Sequence, residues 1–343
     1  MNILSTLPPI LSREEMLEIL QREEYGFLPP PPEKISFSKT QIRNDNTFGG
    51  NGTLWEITIT VTLNGRDFSF PVTLMLPQGE GPFPFIVSIN FESRVPNYYY
   101  PAEEILDNGF AAFNFCSKDV TSDDGDFTNG LAGILYPDGV RKNNTDCGKI
   151  ALWAWAASRC LDYAETEPRL DMNNTAVCGH SRLGKTALLA GATDTRFRVC
   201  HSNCSGCSGA AISRETTGEA IEDICRVFPY WFCENYKKYA GNEEKMPFDQ
   251  HFLLAAVAPR FVSVGSASED SWADPENEQL TCFAASPAFE GLGEKGFICD
   301  KKAEIGDTFF EGNIGYFLRK GRHYFTRLDW HNLMTFIRMK SEK

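Results

Sequence analysis

Residues 175–192 constrain the fold of this chain more than any other stretch. An apolar run, Thr175-Ala-Val-Cys178, leads into Gly179-His180-Ser181-Arg182-Leu183-Gly184-Lys185 and then into the small-residue stretch Ala187-Leu-Leu-Ala-Gly-Ala192. A short buried strand that turns at once into a closely packed helix is the repeating unit of a parallel sheet. The residue at such a turn is held in a strained backbone conformation, small neighbours give it room, and its side chain is thrust out above the sheet. Here that residue is Ser181. The first helical turn behind it aims free N–H groups and positive dipole at the same point, which suits a developing oxyanion. The G-x-S-x-G pattern of such elbows is met imperfectly, because the second glycine is displaced by one position to Gly184.

The rest of the chain supplies the sheet that this unit needs. Residues 13–24 carry apolar positions at helical spacing, with Ser12 as N-cap, and residues 25–32 then break into a proline run. From Leu54 the pattern alternates with period two, pauses at Asn64-Gly65, and alternates again to Pro77. Asn-Gly accepts the positive φ angles of a type I′ turn, so this is a hairpin, expected at the antiparallel edge of a larger sheet. Beyond it, apolar runs at 85–90, 111–115, 176–178, 199–203, 261–265 and 314–318 read as strands. Helical patterns lie near 101–107, 147–165, 184–193, 217–227, 249–257, 277–285 and 329–340. The alternation predicts an α/β-hydrolase fold: a mostly parallel central sheet with an N-terminal antiparallel hairpin and helices on both faces. We read residues 1–343 as a single domain, with 1–50 as an N-terminal extension and 51–343 as the core.

Composition narrows the partners. A formal charge of −13 leaves no basic surplus to neutralise phosphates, so nucleic acid is excluded. No run of about 18 apolar residues occurs, so no membrane span is expected. The N-terminus has neither a basic region nor a long apolar one, which points to a cytoplasmic protein, or to an exported one if a leader once preceded it. The eleven cysteines are odd in number and scattered through apolar runs, as buried reduced thiols are. Cys200, Cys204 and Cys207 lie close together but lack a second zinc-type pair, so neither a metal nor any other cofactor is expected.

A serine nucleophile needs a base, and the base needs an orienting carboxylate. In this fold they follow in the order serine, acid, histidine. Of the five histidines, His180 abuts the serine facing the wrong way, His201 comes too early and His251 opens a helix. His323, on a glycine-containing loop after a strand and before the last helix, is preferred as base to His331, which lies inside that helix. Asp270, on the loop after strand 261–265, is the first choice as acid; Glu269 and Asp274 are the alternatives.

These residues carry a family resemblance. The run from Gly179 to Phe197 resembles the nucleophile segment of carbohydrate esterase family 15, the glucuronoyl esterases and their bacterial relatives. The same pattern fits Tyr25-Gly26, Trp153-Ala-Trp155, Leu161-Asp-Tyr163, Phe228-Pro-Tyr-Trp-Phe232, Pro247-Phe-Asp-Gln-His251 and Ala258-Pro-Arg260. It also fits Asp270-Ser-Trp-Ala-Asp-Pro275, Arg319-Lys-Gly-Arg-His323 and Asp329-Trp330. The resemblance implies hydrolysis of esters between 4-O-methyl-glucuronic acid on xylan and lignin alcohols. Ser181 would be the nucleophile, His323 the base and Asp270 the acid. Arg182 would hold the oxyanion, Lys185 would bind sugar hydroxyls, and Trp272 would offer a face to the sugar ring. One departure stands out: many members carry a catalytic glutamate just after the strand that follows the nucleophile helix, where this chain has Cys204. A thiol does not replace a carboxylate as orienter of histidine at neutral pH, so the acid is expected from the later loop. Competing expectations are an acetyl-xylan or broader acyl-carbohydrate esterase with the same triad, a saccharide-binding pseudo-esterase, and a cysteine hydrolase using Cys204 or Cys207.

Overall fold

The computed structural model describes residues 3–43 and 47–341; part of the stretch read as an extension, residues 1–2 and 44–46, lies outside these. In chain order the helices are α1 (Arg13–Leu20), α2 (Ala102–Asp107), α3 (Ser117–Val120), α4 (Gly130–Leu135), α5 (Lys149–Ala164), α6 (Arg182–Thr193), α7 (Ile221–Val227), α8 (His251–Ala255), α9 (Pro275–Glu290) and α10 (Arg327–Ser341). The strands are β1 (Lys34–Arg43), β2 (Gly52–Leu63), β3 (Arg66–Pro77), β4 (Phe83–Asn90), β5 (Ala111–Cys116), β6 (Leu170–His180), β7 (Val199–Asn203), β8 (Phe261–Ala267), β9 (Thr308–Phe309) and β10 (Ile314–Arg319).

All ten strands join one sheet in the order β1-β2-β3-β5-β4-β6-β7-β8-β10-β9. The centre, from β5 to β10, is parallel; β1, β2 and β3 at one end and β9 at the other are antiparallel. β2 and β3 pair from Leu63↔Arg66 onward across the two-residue turn, where Asn64 and Gly65 take φ 52° and 67° as an Asn-Gly turn requires. The hairpin is not the edge itself, because β1 pairs outside it. β1 hides in the sequence since its Lys, Ser, Thr and Gln positions carry little apolar signal, and Ile35 and Phe37 are only partly buried.

Alternation along the central strands splits the core in two. Phe85, Val87, Phe113, Val177 and Cys200 face a cluster that includes α5, α6 and α8. Ile86, Ala112, Ala176, Cys178 and Val199 face the smaller cluster of α2 and α10, with Ile105, Trp330, Leu333 and Phe336. Helices therefore cover both faces, as a parallel sheet with apolar residues on each side demands. α5 is buried along almost its entire length, which explains its small and aromatic composition on every side. No helix among the described residues is long and apolar enough to cross a membrane. The loops that leave β6, β7, β8 and β10 emerge together at the carboxyl edge of the parallel strands, where open α/β sheets place their sites.

Candidate active site

Ser181 caps α6 directly after β6, with φ 57° and ψ −128°. A non-glycine residue there is strained, and the turn holds it in place: the Ser181 N–H donates to Asn203 O (2.9 Å), while the Gly184 N–H donates back to Ser181 O (2.8 Å). Both flanking glycines are required by space. A Cβ on Gly179 would meet Leu183 O at 2.1 Å, and one on Gly184 would meet Ser202 Oγ at 2.8 Å. The displaced glycine of the elbow thus lets α6 lie against the end of β7. The N–H groups of Arg182 and Leu183, at the start of α6, have no carbonyl a turn back within the helix to accept them.

His323, on the loop after β10, and Asp270, just beyond β8, meet through His323 Nδ1 and Asp270 Oδ2 at 2.6 Å. Asp270 is buried; the imidazole is 41% exposed and borders a cavity of about 210 Å³ that Ser181 also lines. The alternative acids are otherwise engaged. Asp274 caps α9 by accepting from the Asn277 N–H (3.2 Å) and accepts from the Thr217 N–H (2.9 Å). Glu269 is half exposed and lies 3.8 Å from Arg322.

The other histidines have structural partners or none near the site. His331 is exposed on α10. His251 Nε2 donates to Pro8 O (2.9 Å), and His201 is buried 3.2 Å from Ser263 Oγ. His180 is buried beside the site: Asn203 Oδ1 lies 2.7 Å from its Nδ1, Tyr99 stacks on it, and its ring centre is 4.4 Å from that of His323. Burial, reinforced by His323, pushes His180 down to about 3, so it forms a neutral wall behind the His323 ring.

The cavity is lined on its remaining sides by Arg182, Lys185, Cys204, Ser205, Gly206, Glu219, Phe228, Trp231, Trp272 and Ala273. Arg182 pairs with Asp123 and its guanidinium lies over Trp231 (4.8 Å) and Phe228 (5.4 Å), while its Nε is buried with no partner among the described residues. Asp123 also accepts from Trp231 Nε1 (2.8 Å). The Lys185 side chain is 2% exposed; Nζ donates to Cys207 O and pairs with Glu219 at 3.0 Å. Trp272 is 54% exposed and stands at the rim.

Asp123, Glu219 and Glu278 were not foreseen. Each is one carboxylate in a polar stretch, and no spacing marks it. Glu278, buried in α9, accepts from the N–H groups of Ser205 (2.9 Å) and Gly206 (3.0 Å) and from Ser266 Oγ, and so fixes the loop after β7. Burial pushes its carboxyl up to about 8. On that loop Cys204 sits beside the acid and the base, its thiol pushed well above the usual range by burial, then by Glu278 and Asp270. All eleven cysteines are free thiols. The arrangement provides a partly buried serine, an imidazole held by a carboxylate, helix N–H donors, and a cavity lined by an ion-paired Arg182 and by Lys185 and Glu219, a donor and an acceptor suited to hydroxyl groups.

Comparison with known proteins places this geometry among relatives. Residues 59–293 match the family model described as glucuronyl esterase, fungi. A carbohydrate esterase, MZ0003, from an unknown prokaryotic organism is 42% identical over 229 residues, covering 66% of this chain and 53% of its own. A 4-O-methyl-glucuronoyl methylesterase of Podospora anserina is 30% identical over 292 residues, covering 82% of this chain and 56% of its own. The chain thus spans about half the length of these curated relatives. Among solved structures, a CE15 glucuronoyl esterase from Teredinibacter turnerae superimposes with a TM-score of 0.87 at 28% identity, over 99% of this chain and 90% of that one.

Proposed function

Because the chain belongs to carbohydrate esterase family 15, the glucuronoyl esterases, we propose that it is a serine carboxylic-ester hydrolase that cleaves 4-O-methyl-glucuronoyl esters joining xylan to lignin alcohols. The observation that carries the reading is the 2.6 Å contact of His323 Nδ1 with Asp270 Oδ2, at the rim of a cavity that also holds Ser181.

In this reading Asp270 fixes the proton on Nδ1, so that Nε2 is free to take the proton from Ser181 Oγ as it attacks the ester carbonyl. The tetrahedral oxyanion develops against the first N–H groups of α6 and the charge of Arg182. Collapse breaks the bond to the alcohol, and His323 returns the proton to the departing oxygen. Water, deprotonated by the same imidazole, then releases the uronic acid from Ser181. Arg182 suits this role because Asp123 and two aromatic faces hold it in one position. Lys185 and Glu219 offer a buried donor and acceptor to sugar hydroxyls, and Trp272 offers an exposed ring face.

Turnover of a benzyl glucuronate ester, compared with that of an acetylated xylo-oligosaccharide, tests the substrate class. The uronate ester should be strongly preferred; the reverse preference turns the reading into an acetyl-xylan esterase with the same machinery. Ser181→Ala should abolish turnover and labelling by a serine-directed phosphonate. Saccharide binding with no turnover by the unaltered protein would leave only the pseudo-esterase.

A further inference from the structure

Cys204 follows β7, Asp270 follows β8 and His323 follows β10, so three neighbouring strands deliver three different ligand types to one point. Cys204 Sγ, a carboxylate oxygen of Asp270 and a ring nitrogen of His323 all lie within 4.8 Å of one another. Three atoms that close fit within a circle of radius about 2.8 Å, so an ion at its centre is less than about 1 Å from its bonding distance to each.

We infer that this trio is an inhibitory binding site for a thiophilic divalent cation of the zinc type. A thiolate, an imidazole and a carboxylate together select borderline-soft ions over magnesium or calcium, which take oxygen ligands at higher coordination number. The trio has an entrance, because the imidazole is 41% exposed and both Cys204 and His323 border the 210 Å³ cavity. The same cavity leaves the fourth tetrahedral position to a water or to Ser181 Oγ.

Coordination removes the proton from Cys204 Sγ, which passes to solvent; the neutral imidazole binds through its unprotonated nitrogen, and where Nδ1 is the ligand the ring proton moves to Nε2. It occupies the imidazole that the proposed mechanism uses as base, and the inhibition therefore rests on that reading. Binding itself does not: it needs only the three side chains. Burial and the nearby carboxylates keep the free thiol protonated, so Cys204 is inert as a nucleophile and becomes a ligand only when an ion's charge offsets the loss of its proton.

The test titrates zinc and cadmium into the full chain while it hydrolyses an activated aryl ester. Inhibition should be reversed by a chelator and be absent with magnesium or calcium. Cys204→Ala should raise the half-inhibiting zinc concentration by roughly tenfold or more. Binding is read apart from turnover with cobalt(II), whose thiolate charge-transfer absorption should appear in the unaltered protein and in Ser181→Ala. It should be missing from Cys204→Ala and from Cys204→Ser, which keeps the side-chain shape. Equal zinc sensitivity with and without the thiol, or a cobalt band that survives in both Cys204 variants, overturns the site. If no ester is turned over at all, the esterase reading fails and the cobalt band still decides this one.

Discussion

Ser181 carries its hydroxyl at a backbone conformation that an L-residue tolerates poorly, and the strain is separable from the chemistry. Ser181→Gly and Ser181→Ala both remove the proposed nucleophile, but only glycine relaxes at φ 57°. The glycine variant should be the more stable of the two by about 1 kcal/mol in denaturant titrations; equal stability would mean that the elbow is unstrained. The two aspartates of the loop after β8 divide in the same way. Asp270→Asn should lower kcat by roughly 10⁴-fold, as expected when the base loses its tautomer control. Asp274→Asn should leave kcat within a few-fold and cost about 1 kcal/mol or less, since it caps α9. The reverse ranking would move the acid to Asp274. The pairing of Asp270 with His323 beside the cavity of Ser181 was legible in the sequence because strand, loop and chain order restrict each to a few positions. Glu219 and Asp123 could not, since what distinguishes them is burial against Lys185 and Arg182, a property of the folded chain.

Among the elements, the hairpin and the parallel strands were legible for opposite reasons. β2 and the first half of β3 alternate because one face is solvated, whereas β5 and β7 are buried at every position because both faces are covered. β6 was foreseen only over 176–178; after Leu170, its first residues Asp171-Met-Asn-Asn174 are mostly polar and outside the core. The loop after β7 depends on an element distant in sequence, the middle of α9. Glu278→Ala leaves the N–H groups of Ser205 and Gly206 without their acceptor and opens a void, which should cost about 3 kcal/mol. Glu278→Gln keeps an acceptor and should cost much less. If the alanine variant melts with the unaltered protein, the loop is held by something else.

Over the whole molecule, buried ionisable groups set how stability changes with pH. Glu24 and Glu278 are both pushed up to about 8 by burial, so they stay protonated in the folded chain at pH values where the unfolded chain has ionised them. The folded state then holds more protons, and stability falls as pH rises from about 4.5 to 8. His180 and His201 are pushed down to about 3, which has the opposite sign but acts only below about 6.5. The two effects oppose each other between about 4.5 and 6.5 and leave a plateau there, followed by a decline toward pH 8. Melting temperatures across this range check the shape, and Glu278→Gln should flatten the decline; a rise from pH 6.5 to 8 would contradict it. The sheet order has a consequence of another kind. Asp270 and His323 stand fifty-three residues apart in sequence, and they meet only when β10 has docked beside β8. In the proposed mechanism, a nascent or refolding chain that has built the β6 elbow before β10 docks therefore displays Ser181 without its base. Under the proposed mechanism competence arrives only with β10, and the half-made protein is spared from attacking esters around it.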